Sequence, residues 1–183
     1  RHCSLVVCNT VQRAQEMYLH LSEMITRKRL TIDLRLLHSR FTDADRKQQG
    51  EELGLLLGKQ QWEQGVYQGE NDVIVVATQV VEVGLDISVH TLHSENAPAN
   101  SLVQRAGRCA RFEQQQGYVI VYELPRDEEG KPVSTLPYAD DLCADTWNAL
   151  DAYDGQVMGF REEQQLINTV HTASDLALLD RYE

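Results

Sequence analysis

No stretch of this chain approaches the about 18 to 20 consecutive apolar residues that a bilayer-spanning helix needs. Its first residues, Arg1-His2-Cys3-Ser4-Leu5, lack the charged-then-apolar pattern of a secretory signal. Cysteine is scarce. Cys3, Cys8, Cys109 and Cys143 include no CxxC pair, which argues against a zinc cluster and fits reduced thiols in a cytoplasmic protein. There is no HExxH and no GxSxG, so two common hydrolase signatures are missing. Prolines number 4 and glycines 11 in 183 residues, too few for a collagen-like chain. Basic residues are outnumbered: 17 Lys and Arg face 28 Asp and Glu, a net charge of −11. Taken whole, that balance speaks against a nucleic-acid backbone as partner. Against these absences stand 42% hydrophobic and 25% charged residues, the composition of a folded domain rather than a disordered one.

The charge is unevenly placed. Residues 1–122 carry 13 basic and 14 acidic residues, whereas 123–183 carry 4 basic and 14 acidic, so almost all of the excess lies in the tail. Pro125, Gly130, Pro132 and Pro137 mark a loop between the two. The expected division is a body at 1–125, a loop at 126–137 and an acidic helical extension at 138–183.

The body alternates strand and helix signals. Leu5–Cys8, Thr31–Leu37, Asp72–Ala77, Thr91–Ser94 and Gly117–Leu124 read as strands, with Val73-Ile74-Val75-Val76 the clearest buried run. Asn9-Thr10 suits a helix start, and Val11, Ala14, Tyr18, Leu21 and Ile25 then share one helical face. Thr42 or Asp43 caps a second helix reaching about Leu57, and Asn100–Arg111 reads as a third. Strands separated by helices predict right-handed crossovers and an α/β fold with a parallel sheet. In the tail, Leu142, Thr146 and Leu150, then Leu166 and Val170, predict two or three short helices.

Three segments carry candidate chemistry. In Gln104-Arg105-Ala106-Gly107-Arg108-Cys109-Ala110-Arg111, a continuous helix puts Gln104, Arg108 and Arg111 on one face. Guanidinium groups there suit phosphate oxygens and the charge that builds during phosphoryl transfer, though a solvated basic face fits the same residues. Ala77–Ile87 leaves the buried strand, where open parallel sheets bind ligands. Thr78 offers a hydroxyl, Gly84 a close backbone approach and Asp86 an acceptor, and an ordinary strand-to-helix loop is the competing reading. His38-Ser39-Arg40-Phe41 also leaves a strand and opens a helix, a plausible phosphate cradle or a simple cap, within a stretch at 26–47 holding 7 basic and 3 acidic residues. His90 and His93 fit a loop or strand edge better than a metal site. Gly54-Leu-Leu-Leu-Gly58-Lys59 is one residue short of a phosphate loop and lacks its Ser or Thr, and Asp127-Glu128-Glu129 sits in a Pro/Gly loop rather than after a strand.

In this order the segments resemble the second RecA-like domain of a superfamily 2 DExH-type helicase. The octet at 104–111 resembles its QRxGRxxR motif, and 77–87 the motif before it. Val6-Val7-Cys8-Asn9-Thr10-Val11, His38-Ser39-Arg40-Phe41 and Ala77-Thr78-Gln79-Val80-Val81-Glu82 are similar to the helicase-nuclease family of type I CRISPR systems, with Val83-Gly84 departing from that branch's usual polar pair. The resemblance covers about residues 4–124. It implies Arg108 and Arg111 as arginine fingers with Gln104 beside them. Gly84, Asp86 and Arg105 would lie at ATP, and Asn9, Thr10, Ser39, Arg40, Thr78 and Gln79 on the nucleic-acid backbone. It places the phosphate loop and Mg²⁺ ligands on a first RecA-like domain, so the chain is expected to be one part of a larger enzyme and to hydrolyse no ATP alone. The implied partners are that first domain, single-stranded DNA, a CRISPR surveillance complex and an HD nuclease domain, with no membrane. Two rival readings remain at this point: a superfamily 2 helicase of DNA or RNA outside CRISPR, and a non-enzymatic protein-interaction domain.

Overall fold

The structure, a computed structural model, describes residues 1–130 and 132–179, with side chains described as far as 172. Along the chain come β1 (Cys3–Val7), α1 (Val11–Lys28), β2 (Ile32–Leu37), α2 (Asp43–Leu57), the two-residue strands β3 (Trp62–Glu63) and β4 (Val66–Tyr67), β5 (Asp72–Ala77), β6 (Thr91–Glu95), α3 (Ala99–Ala106), β7 (Tyr118–Tyr122), α4 (Asp140–Leu150) and α5 (Phe160–Leu179). The main sheet has the order β2-β5-β1-β6-β7 and every pairing is parallel. The α/β fold with a parallel sheet is therefore as expected.

Residue alternation decides how the sheet is covered. Side chains of successive strand residues point to opposite faces. Leu5, Val7, Val73, Val75 and Ala77 join Leu53 and Leu57 of α2 in one core cluster. Val6, Cys8, Ile74 and Val76 join Ala14, Tyr18 and Leu21 of α1 in another. A central strand of such a sheet has no wet face, which is why β1 and β5 read as unbroken apolar runs. Leu5 and Leu57 are fully buried, each stabilising the fold by about 1.5–3 kcal/mol through burial.

The parallel register aligns the carboxyl ends: Val7 pairs with Ala77 and with Ser94, and Leu37 with Ala77. The loops at 8–10, 38–42 and 78–82 therefore leave one edge of the sheet. Because α1 returns from that edge to the start of β2, its last residues lie at the opposite edge. Arg27, Lys28 and Arg29 are thus separated from Arg40, Arg46 and Lys47, and the basic stretch at 26–47 is not one patch.

The third helix departs from expectation. It ends at Ala106 rather than Arg111. Gly107 weakens helix propagation, and the next residues pair with the chain entering β6. Val89 N–H donates to the Arg108 carbonyl at 3.0 Å, Ala110 N–H to the Val89 carbonyl at 3.0 Å, and Ala110 adopts φ 49°. Gln104, Arg108 and Arg111 consequently do not share a helical face. β3 and β4 form a hairpin that the strand pattern did not announce. Its turn, Gln64-Gly65, takes φ 49° and 79°, the left-handed values of a two-residue hairpin turn.

Two compact units result: residues 1–95 with 104–122, and residues 96–103 with 123–183. Residues 96–103, read from sequence as part of the body, group with the second unit. Within that unit Ala99, Leu166 and Val170 form a core with Leu142, Leu150 and Ile167, and Asn96 Nδ2 donates to the Cys143 carbonyl at 2.8 Å.

Candidate functional site

The carboxyl-edge loops differ in what they leave accessible. Ser39 and Arg40 are exposed. They are presented by His38, which is 4% exposed, stacks on Phe41 at 4.3 Å and has Nε2 3.3 Å from Gln15 Nε2 of α1. Burial pushes the His38 imidazole below its ordinary range, and the nearby Arg40 charge adds to this. Thr42 then caps α2, accepting from Asp45 N–H at 3.2 Å.

The other expected nucleic-acid residues are built into the protein. Thr78 is 2% exposed. Thr10 caps α1 by accepting from Arg13 N–H at 3.3 Å. Gln79 Nε2 donates to the Asn9 carbonyl at 2.7 Å. Asn9 is itself 2% exposed, and its N–H donates to Glu95 Oε2 at 2.6 Å.

Arg105, expected at ATP, is fully buried among protein partners instead. Its Nε donates to Glu82 Oε1 at 2.9 Å, Nη1 to Ser94 Oγ at 2.9 Å and the Glu95 carbonyl at 3.2 Å, and Nη2 to Asn9 Oδ1 at 3.1 Å. Burying a guanidinium is costly unless its donors are met, and this one is met by four groups from three strand-end segments. Glu82, Ser94 and Glu95 were not singled out from sequence. The available signal was an acid at position 82 in the segment that precedes the arginine octet, but its partner lies 23 residues away.

Arg108 and Arg111 meet the segment 82–88 that links β5 to β6. Arg108 Nη2 donates to the Glu82 carbonyl at 2.8 Å and Nη1 to the Leu85 carbonyl. Burial lowers the Arg108 pKa, Arg111 adds to that and Asp86 opposes it; the group stays charged at any physiological pH. Arg111 Nε pairs with Asp86 Oδ1 at 2.8 Å, with the two side chains 38% and 72% exposed. Its main-chain N–H donates to Ser88 Oγ at 3.0 Å, and Ser88 Oγ in turn donates to Gln115 Oε1 at 2.5 Å. Between them, Gly84 has φ 83°, a conformation in which a side chain is strained, and open space around its α-carbon. Gln104 is exposed at the end of α3. Arg108, Arg111, Gly84 and Asp86 are thus brought together by contacts that do not depend on a shared helix.

Such a pair of guanidiniums beside a glycine-containing loop can take up negative charge presented from outside the chain. Among the described residues no group of three or more His, Cys, Asp or Glu side chains is placed to hold a metal ion. No helix among the described residues is long and apolar enough to cross a membrane.

Residues 1–114 match the family model described as CRISPR-associated nuclease/helicase Cas3, C-terminal. The chain is 36% identical over 108 residues to the CRISPR-associated endonuclease/helicase Cas3 of Escherichia coli, covering 58% of this chain and 11% of that protein. It is 26% identical over 171 residues to the Cas3 of Methanothermobacter thermautotrophicus, covering 91% of this chain and 18% of the relative. The crystal structure of T. fusca Cas3 superposes with a TM-score of 0.79 at 32% identity, over 96% of this chain and 21% of that one. T. fusca Cas3 has also been solved with ATP, ADP and AMPPNP. A chain in a CRISPR RNA-guided surveillance complex, pre-nicking, matches with a TM-score of 0.71 at 29% identity, over 92% of this chain and 21% of that one. The chain spans about a tenth to a fifth of these relatives' lengths. From the matched residues and the shared parallel-sheet fold, the chain belongs to the Cas3 nuclease/helicase C-terminal family.

Proposed function

We propose that this chain is the second RecA-like half of an ATP-driven helicase that translocates on single-stranded DNA in CRISPR interference. The carrying observation is the placement of Arg108 and Arg111 on one loop: Arg108 on the carbonyls of Glu82 and Leu85, Arg111 on Asp86. In this reading ATP and Mg²⁺ are held by a first RecA-like domain. Closure of the two domains brings Arg108 and Arg111 to the γ-phosphate, where they offset charge in the transition state. Gln104, exposed at the end of α3, contacts the same phosphate region in the closed state. Arg108 uses two of its N–H groups on carbonyls and keeps others for the nucleotide. Arg111 exchanges the exposed Asp86 carboxylate for phosphate. Gly84 permits the nucleotide to approach the backbone. Loss of the γ-phosphate removes the attraction between the domains and lets them reopen.

On the strand side, the exposed Ser39 and Arg40 grip phosphate and sugar without reading sequence. A surveillance complex and an HD nuclease domain are the partners this role requires. The test is reconstitution. This chain alone hydrolyses no ATP, and adding a separately produced first RecA-like domain with single-stranded DNA produces turnover. A mixture with no more activity than the first domain alone would support a protein-interaction role instead.

A further inference from the structure

Arg105 is the largest fully buried side chain among the described residues, and its position explains more than local stability. Its guanidinium draws together Asn9 after β1, Glu82 after β5, and Ser94 and Glu95 at the end of β6. Glu82 faces two ways. Its carboxylate is fixed by Arg105, and its carbonyl holds Arg108 Nη2 at 2.8 Å. Asn9 is gripped on its other side by Gln79 Nε2 and by Glu95, whose second carboxylate oxygen pairs with Arg13 in α1 at 2.9 Å. We propose that Glu82 and Arg105 are a positioning pair that ties the placement of Arg108 to the loop at Asn9-Thr10.

An exposed ion pair slides at little cost, because water replaces whatever contact is lost. A buried guanidinium has no such substitute, so its partners shift together with it rather than part from it. Displacement of Asn9 must move Arg105, and through it Glu82, whose carbonyl is one of the two supports of Arg108. A strand bound at the carboxyl edge thereby changes where the Arg108 guanidinium stands. This rests on the proposed helicase role and deepens it, naming how nucleic-acid occupancy is reported to the nucleotide side.

The test is steady-state ATP turnover of the full-length helicase, varied in both ATP and single-stranded DNA, with turnover expressed per folded molecule from parallel thermal melts. Glu82→Ala and Arg105→Lys are expected to lower DNA-stimulated kcat by about tenfold or more while KM for ATP and the DNA dissociation constant change by less than about threefold. Glu82→Gln keeps an acceptor of the same reach for Arg105 Nε and is expected to recover most of the turnover. Unchanged kcat per folded molecule in Glu82→Ala would overturn the proposal. So would a rise in KM for ATP at unchanged kcat in Arg105→Lys, which is the signature of a ligand contact. Arg108→Ala is measured alongside. Loss of turnover there with normal Glu82→Ala kinetics overturns the positioning pair alone, whereas near-normal Arg108→Ala turnover overturns the helicase reading beneath it.

Discussion

Arg105 and Arg108 are three residues apart and carry the same group, yet their surroundings give them opposite tasks. Arg105 spends its donors on the protein, and on the proposed function Arg108 keeps part of its fork for the nucleotide. The same contrast separates the candidate strand contacts. Arg40 is exposed, so Arg40→Ala is expected to weaken single-stranded DNA binding and reduce the salt dependence of affinity by about one unit of slope, read from titrations at several salt concentrations. Thr10 works as a helix cap, so Thr10→Ala is expected to lower stability by about 1 kcal/mol in denaturant melts, at the measured strength of such caps. On the proposed function, motif residues thus divide between gripping a ligand and holding the loops that grip.

Among the elements, β1 and β5 were legible as apolar runs, α1 from its period of three and four, and α2 from its cap at Thr42. α3 was misread past Ala106. Gly107 weakens the helix there, and what stops it is a pairing with Val89 that sequence neighbours do not reveal. That error also removed the reason first given for grouping Gln104, Arg108 and Arg111, although the two arginines do meet the loop at 82–86. The hub at Arg105 was illegible for a related reason: its partners lie 10 to 96 residues away. The β3–β4 hairpin had a readable signal in Gln64-Gly65 between two aromatic-bearing dipeptides. Its tip lies close to the loop after Arg111: a Cβ on Gly65 would stand 2.3 Å from the Gln114 carbonyl. Gly65→Ala is therefore expected to cost about 1–3 kcal/mol of stability, from the clash and from its φ of 79°, measured by chemical denaturation.

Over the whole molecule, charge is unevenly divided. The net −11 lies almost wholly after residue 122, and the body's basic residues are divided between the two edges of the sheet. On the proposed function, a few exposed residues such as Arg40 face the strand, enough for a grip that is released at each step. Acid sensitivity follows from His38 and His90, both held below their ordinary range chiefly by burial. The unfolded chain takes up protons that the folded one refuses. Stability from these groups is complete above about pH 6.5 and is lost as pH falls toward their folded values, so melting temperature is expected to drop there, and less steeply in His38→Gln. On the proposed function, this chain supplies arginines to a nucleotide held elsewhere. Its most direct test is DNA-stimulated ATP turnover of the full-length helicase carrying Arg108→Ala. The expected result is a fall of ~10³-fold or more, equivalent to about 4 kcal/mol of transition-state stabilisation. Turnover within a few-fold of the unaltered enzyme would contradict it.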